Sequence, residues 1–395
     1  MQGRGAVARS LFTYAWDLAE EGVGDAVARF RDAGLDGVTL ATAYHAGKFL
    51  RPHGRGKVYF PEDGTIYYQA DPADFDTIKP QPHSLLPETD VLRDLTAVDG
   101  LTVRAWMVLL HNTRVGMAHP EATIRNAFGD RFVYSLCPTS PDARTFAIAL
   151  CRTVAASYPI DGLRIETPGF LPSVHGYHHE FGLVQPNVWL NNHLGLCFCD
   201  HCRAGAKAAG IDADGLARDV TRRVETYLAS EVDYPADMAA AFWLADIVTN
   251  ADLGAYLRFR CDTVTSLVAE IREAVRDDVD IAILPSVARP TSGAWYEGSD
   301  LPALAATAGG IDACFYEPAA DRVAADLHDI RSRLPADARL GGVLRPGYPD
   351  LDSREKVKAA VAVLDAGGVN DIGFYNYGHL RASALDWIGE AFRSL

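Results

Sequence analysis

Two groups of residues in the 395-residue chain have types and spacing suited to chemistry. The first is a thiol run, Cys197-Phe198-Cys199-Asp200-His201-Cys202. Its three thiols lie close enough in sequence to share one tetrahedral ion, and structural zinc sites favour thiolate and take four ligands. The fourth must come from elsewhere. Cys137, in Leu136-Cys137-Pro138-Thr139-Ser140-Pro141, is the best candidate, with His201 or His193 as fallbacks. Four thiolates would leave no open coordination position, so the expectation is a closed structural zinc site that pins a long loop. The chain has seven cysteines, and an odd, clustered set suits a metal in a reducing compartment better than a disulfide framework. Cys151, Cys261 and Cys314 sit in apolar patterns and read as core thiols.

The second group is a pair of carboxylates, Glu166 in Leu163-Arg164-Ile165-Glu166-Thr167-Pro168 and Glu317 in Phe315-Tyr316-Glu317-Pro318. Each ends an apolar, strand-like run. Two carboxyl groups across a pocket can cleave a glycosidic bond, one protonating the leaving oxygen and the other attacking the anomeric carbon or activating water. Their environments must hold their pKa values apart. The competing reading pairs either Glu with an arginine such as Arg164 or Arg345. Asp17 and Asp350 are reserves.

Such residues need a frame, and the sequence supplies one. Eight short apolar runs alternate with helical patterns: Leu11–Trp16, Gly37–Tyr44, Leu101–Leu110, Gly162–Glu166, Asp280–Ser286, Ile311–Glu317, Leu340–Arg345 and Asp371–Tyr375. Helices are expected at Val23–Ala33, Asp142–Ser157, Tyr256–Val275, Ala320–Leu334, Ser353–Ala366 and Ala382–Arg393. Eight strands in this alternation predict an α/β fold, a single (β/α)8 TIM barrel. An open doubly wound sheet would want a glycine-rich phosphate loop after an early strand, whereas the first run ends Tyr14-Ala15-Trp16-Asp17. One domain is expected over residues 1–395. It includes a loop at 46–86 after strand two, with a β-hairpin predicted from Lys57–Phe60 and Thr65–Tyr68 around Asp63-Gly64, and an inserted Cys-rich, helical excursion at 168–253 after strand four.

In this fold the informative residues are at the strand ends. Read in order, the ends supply Trp16, Asp17, Tyr44, His45, His111, Asn112, Glu166, Ser286, Tyr316, Glu317, Arg345, Tyr375, Asn376 and Tyr377. Aromatic faces interleaved with His, Asn and Arg suit a polyol, because sugar rings present apolar C–H faces beside hydroxyls. Expected substrate contacts are therefore Trp16, Asp17, Tyr44, His45, His111, Asn112, Tyr316, Arg345, Tyr375 and Asn376. The stretch His175-Gly176-Tyr177-His178-His179-Glu180 matches no ligand spacing and reads as a loop that binds substrate or faces solvent.

Composition narrows the partners. Hydrophobic residues make up 48%, enough for a large core, and the net charge of −15 disfavours nucleic acid and anionic membranes. No apolar run reaches the roughly 20 residues of a membrane helix, and the N-terminus lacks an apolar signal core, so a cytoplasmic protein is expected. The long 168–253 excursion is a candidate contact for a homo-oligomer.

The order of a Cys before a Ser-Pro helix start, a Glu ending strand four and a C-x-C-x-x-C run opening a helix resembles the barrel of the glycoside hydrolase family 42 beta-galactosidases and related bacterial glycosyl-hydrolase-like proteins. The resemblance covers mainly Cys137 to about Gly210. It implies Cys137, Cys197, Cys199 and Cys202 as zinc ligands and Glu166 as acid/base. The segment around Lys57–Tyr68 is more similar to the relatives of unassigned activity than to the galactosidases. The departures matter. Ile165 stands where the family has Asn, the gap from Glu166 to Cys197 is longer, and strand seven ends Val343-Leu344-Arg345-Pro346 without the family's nucleophilic Glu; the expectation is a barrel without the family's trimerisation domain.

The expectation is thus a glycoside hydrolase acting on a small carbohydrate, with Glu166 and Glu317 catalytic and no organic cofactor. Two rivals stand beside it. One is a divalent-metal sugar isomerase or lyase, using Glu166, Glu317, His45 and His111 as ligands. It would not be an amidohydrolase, since the strand-one His-x-His is absent. The other is a non-catalytic carbohydrate-binding barrel, motivated by the missing strand-seven Glu.

Overall fold

The computed structural model describes residues 8–177, 180–286, 289–369 and 371–395. The eight expected runs form eight parallel strands: β1 (Ala8–Tyr14), β2 (Gly37–Tyr44), β3 (Thr102–Val108), β4 (Gly162–Glu166), β5 (Asp280–Leu284), β6 (Gly310–Cys314), β7 (Arg339–Leu344) and β8 (Asp371–Phe374). Each pairs with its neighbours in chain order, and β8 pairs with β1 to close the barrel. Helices cover the outside. One of them, Pro141–Ser157, starts at Ser140-Pro141, where proline costs no helix hydrogen bond, and buries Phe146, Leu150 and Val154. No described helix is long and apolar enough to cross a membrane.

Side chains alternate across a strand, so every second residue enters the barrel. In β4 the pair Arg164 and Glu166 shares one face, and Leu163 and Ile165 share the other. The interior has two characters along the barrel axis. At the lower level Arg164 contacts Asp280 (2.9 Å), Asp312 (2.5 Å) and Asp371 (3.3 Å), and Arg104 contacts Asp371 at 2.8 Å. Glycine makes room for this network, since a Cβ at Gly341 would lie 2.3 Å from Asp312 Oδ1. Above it lie aromatic rings. Trp106 packs edge-on against Phe12 (5.4 Å), Tyr44 (5.0 Å) and Tyr375 (6.0 Å).

The two long connections lie at the strand C-terminal ends, as expected. The hairpin predicted around Asp63-Gly64 does not form. Val58–Tyr59 pairs instead with Phe49–Leu50, and Thr65–Ile66 adds antiparallel to Ala43–Tyr44 of β2 and parallel to Gln81–Pro82. Burial explains the change: Thr65, Ile66, Tyr67 and Tyr68 are all buried, which a free two-stranded ribbon could not achieve, whereas Val58 stays exposed. Gly64 supplies the turn with φ +59°, and a Cβ there would lie 2.0 Å from Asn112 Oδ1. The second connection carries helices Val188–Leu194, Asp200–Ala208, Ala213–Leu228 and Ala236–Thr249 before the long helix Ala251–Ala274 leads into β5.

Candidate active site

A cavity of about 580 Å³ opens at the C-terminal end of the barrel. Its walls include Phe12, Tyr44, Trp106, Glu166, Tyr316 and Tyr375 from the strands and strand ends. The long connections add Asp63, His175, Tyr177 and Glu180. Tyr14 stands behind this wall, its hydroxyl 3.0 Å from Tyr44 Oη and 2.9 Å from Tyr375 Oη. Burial pushes all three phenol pKa values up, so these hydroxyls stay neutral.

Glu166 is half-buried in this wall, and its Oε2 accepts a hydrogen bond from Trp106 Nε1 at 2.6 Å. Burial raises its pKa to about 7, against the opposing pull of the indole N–H. The backbone just after it is unusual: Thr167, a β-branched residue, has φ +52°, a conformation that costs of order 1–3 kcal/mol and is held here by Leu110 N donating to Thr167 O at 3.1 Å. A second carboxyl lies behind the wall. Glu297 accepts from Ser286 Oγ at 2.5 Å, and burial raises its pKa to about 7, with Glu166 adding in the same direction. Ser286 lines the cavity, and Glu297 is reached through it. No short-range sequence pattern marked Glu297, which sits 11 residues beyond Ser286 in a 3-10 turn, Thr291–Glu297.

On the β2 and β3 side, His45 and His111 stack at 4.1 Å, and His111 Nε2 lies 3.0 Å from Gly176 O. Burial and the neighbouring His45 lower the His111 pKa to about 3, so it is neutral at ordinary pH. On the β7 side, the Arg345 guanidinium lies 4.5 Å above the Tyr316 ring, with Nε 2.5 Å from Asp350 Oδ2.

The structure therefore brings Tyr44, His45, His111, Glu166, Tyr316, Arg345 and Tyr375 into one cavity. It does not bring the other expected residues there. Glu317 is buried and points away, with Arg322 Nε donating to its Oε2 at 2.5 Å. Asn112 and Asn376 are helix caps, accepting from Val115 N (2.9 Å) and Gly378 N (3.0 Å). Trp16 is buried between Tyr14 (4.3 Å) and Tyr59 (4.9 Å). Asp17 sits in a separate hollow bound to Arg51 at 2.6 Å, where burial raises its pKa to about 6. Asp350 has its ion pairs with Arg289 and Arg345. Of the histidine-rich stretch, His175 and Glu180 line the cavity, and His178 and His179 lie outside the described residues. Sequence reasoning missed Trp106 and Asp63. Trp106 was discoverable, because it shares the inward parity of Arg104 on β3.

The four thiols Cys137, Cys197, Cys199 and Cys202 are buried with their sulfurs within 4.8 Å of one another. Cys137 Sγ lies 3.7, 3.7 and 3.5 Å from those of Cys197, Cys199 and Cys202. A disulfide would need about 2.05 Å. A tetrahedral ion with bonds of about 2.3 Å implies sulfur–sulfur edges of about 3.8 Å, so the donor set fits such an ion. His193 is instead tied to Trp189 O at 2.7 Å, and His201 is exposed. Among the described residues, this is the one group of three or more metal-ligating side chains with donor atoms this close.

The fold has solved counterparts. The chain is similar to the PgaB (BpsB) glycoside hydrolase domain from Bordetella bronchiseptica, with a TM-score of 0.54 and 15% identity, over 96% of this chain and 98% of that one. It is similar also to the catalytic domain of beta-amylase from Paenibacillus polymyxa, with a TM-score of 0.57 and 12% identity, over 98% and 99% of the two chains. At these identities the likeness defines the fold, a (β/α)8 barrel of the kind glycoside hydrolases use. No protein-family model and no curated protein sequence matches the chain.

Proposed function

We propose that the protein is a glycoside hydrolase acting on a small glycoside or oligosaccharide from a single barrel domain, with Glu166 as the proton donor. The observation that carries this reading is the Trp106–Glu166 contact: a carboxyl at a strand end, oriented by an indole N–H at 2.6 Å and held at a pKa of about 7 in an aromatic cavity. Such a group is protonated at mildly acidic to neutral pH and can protonate a leaving glycosidic oxygen. Tyr44, Trp106, Tyr316 and Tyr375 offer faces for a sugar ring, and His45 offers polar atoms beside them.

The second carboxylate of this reading is Asp63 rather than Glu317. Asp63 lines the same cavity, and Ala46 N holds its Oδ1 at 3.0 Å. It would attack the anomeric carbon or activate the water that does. The resemblance to family 42 supports Glu166 as the acid and the four thiols as zinc ligands. Zinc there would be structural, joining the excursion after β4 to the segment after β3. The isomerase reading loses ground because Glu317 is outside the cavity and His45 and His111 are stacked ring on ring. A screen of aryl glycosides of varied sugar and anomer tests the proposal. Cleavage by the wild type is expected, with Glu166→Gln, its fold intact, losing activity on glycosides whose leaving group is unactivated. Binding without cleavage of any glycoside would favour the non-catalytic barrel.

A further inference from the structure

Among the described residues lining the cavity, Arg345 is the one Lys or Arg. Its surroundings fix it without neutralising it. The ring of Tyr316 supports one face at 4.5 Å, and Nε binds Asp350 at 2.5 Å. Asp350, fully buried, is shared with Arg289, whose Nη2 lies 2.7 Å from the other oxygen. One carboxylate thus serves two guanidinium groups, leaving a net positive charge. The terminal nitrogens of Arg345 have no hydrogen-bond partner among the described residues, and the side chain keeps 27% exposure. The cavity acids Asp63 and Glu180 come from the connections after β2 and β4, whereas Arg345 follows β7, opposite β3 in the ring. Glu180 Oε1 already accepts from Tyr177 N at 3.1 Å.

We infer that the sugar bound here carries a carboxylate, as a uronic acid does, and that Arg345 reads it through its two terminal nitrogens. This rests on the glycoside hydrolase reading for its catalytic part and on the geometry of Arg345 for the binding part. A neutral sugar that displaced water from this wall would leave a desolvated cation only partly compensated by the shared Asp350. A planar carboxylate matches the guanidinium fork with two parallel charge-assisted hydrogen bonds. The fork is already immobilised by Tyr316 and Asp350, so little side-chain freedom is lost on binding.

The test compares matched acidic and neutral sugars. Aryl glucuronides and galacturonides are assayed against aryl glucosides and galactosides of the same anomer. Calorimetry then measures binding of free glucuronate, galacturonate, glucose, galactose and galactose 6-sulfate to the wild type, Arg345→Gln and Arg345→Lys. The expected result is a preference of about 100-fold for the uronide in kcat/KM and at least about tenfold in Kd. Arg345→Gln should remove the preference, and Arg345→Lys, which keeps the charge but loses the fork and guards against a misfolded Gln variant, should recover only part of it. Equal or tighter binding of neutral sugars, or a preference unchanged in both folded variants, would overturn the assignment. Tighter binding of the sulfated sugar than of the uronates would overturn the carboxylate in favour of sulfate. If acidic sugars bind selectively but no glycoside is cleaved, the hydrolase reading fails and the binding inference stands.

Discussion

The Trp106 indole reaches diagonally across a strand pair to Glu166. The register of β3 and β4 sets Trp106 opposite Arg164 and Val108 opposite Glu166, yet Nε1 of Trp106 lies 2.6 Å from Glu166 Oε2. One ring thereby forms a cavity wall and orients the one acid of the cavity that stands at a strand end. The indole donates to the carboxylate and so favours its charged form, while burial favours the neutral one and prevails.

This contact sets a pH profile. The proton donor works only when protonated, so kcat/KM should be highest below pH 7 and fall as pH rises through about 7. Trp106→Phe removes the donor that lowers the pKa, so the falling limb should move to higher pH, by about one unit. Glu166→Gln should lose about 1000-fold in kcat with a glycoside whose leaving group is an unactivated alcohol or sugar, and much less with an activated aryl glycoside, whose leaving oxygen needs little protonation. The folded pKa exceeds the ordinary 4.5, so the carboxyl's share of stability is complete below 4.5 and is lost by about 7. Glu166→Gln should therefore be more stable than wild type at pH 8, by up to about 3 kcal/mol, and not at pH 4; urea unfolding at both pH values reads this.

Asp63 and Glu317 should separate cleanly. Asp63→Asn is expected to lower kcat by about 100-fold or more. Glu317→Gln should stay within about threefold of wild type in kcat/KM, because its carboxylate faces Arg322 rather than the cavity. The reverse order in steady-state kinetics would return the second catalytic role to Glu317.

The thiol cluster predicts a stoichiometric metal. Zinc should copurify with the wild type and be missing after Cys199→Ser, measured by mass spectrometry of the metal. Loss of the ion should lower the melting temperature by several degrees, since a closed site contributes its binding energy to folding. KM should rise more than kcat falls, because His175, Tyr177 and Glu180, on the same connection as three of the four thiols, line the cavity and are not the proposed acid.

The lower barrel network predicts a large stability cost away from the cavity. Arg164 is 1% exposed and contacts three aspartates. Arg164→Met should destabilise the protein by about 3–5 kcal/mol in denaturant titration, as it leaves buried carboxylates short of a partner. Replacing Asp312 with Asn in the same chain should recover part of the loss.

The barrel was legible because eight runs apolar on both faces have few other uses, and Glu166 because it ends one of them. Glu317 misled for a reason of parity. Asp312, Cys314 and Tyr316 alternate toward the barrel interior, so Glu317 falls on the other face and meets the following helix. Counting from the charged Asp312 would have excluded it. Asn112 and Asn376 were placed correctly at strand ends, but their side chains are consumed by capping the turns that follow. Trp16 and Asp17 were read as the end of a strand that stops at Tyr14, with a helix starting at Ala15. The hairpin failed because burial on β2 outweighed a local turn signal. Glu297 was invisible, since only the folding of the strand-five connection brings it behind Ser286.

Between Pro172 and Pro186 the described residues form no helix or strand, and His175, Gly176, Tyr177 and Glu180 among them line the cavity; the stretch begins just past β4 and ends at the helix Val188–Leu194, just ahead of the thiols. Both posts are anchored in the frame, and none of the described residues between them belongs to a barrel strand or to a helix that covers it. Insertions, deletions and exchanges there can re-tailor what the mouth admits while the staves below keep their register, so descendants of this chain should diverge in diet long before they diverge in architecture.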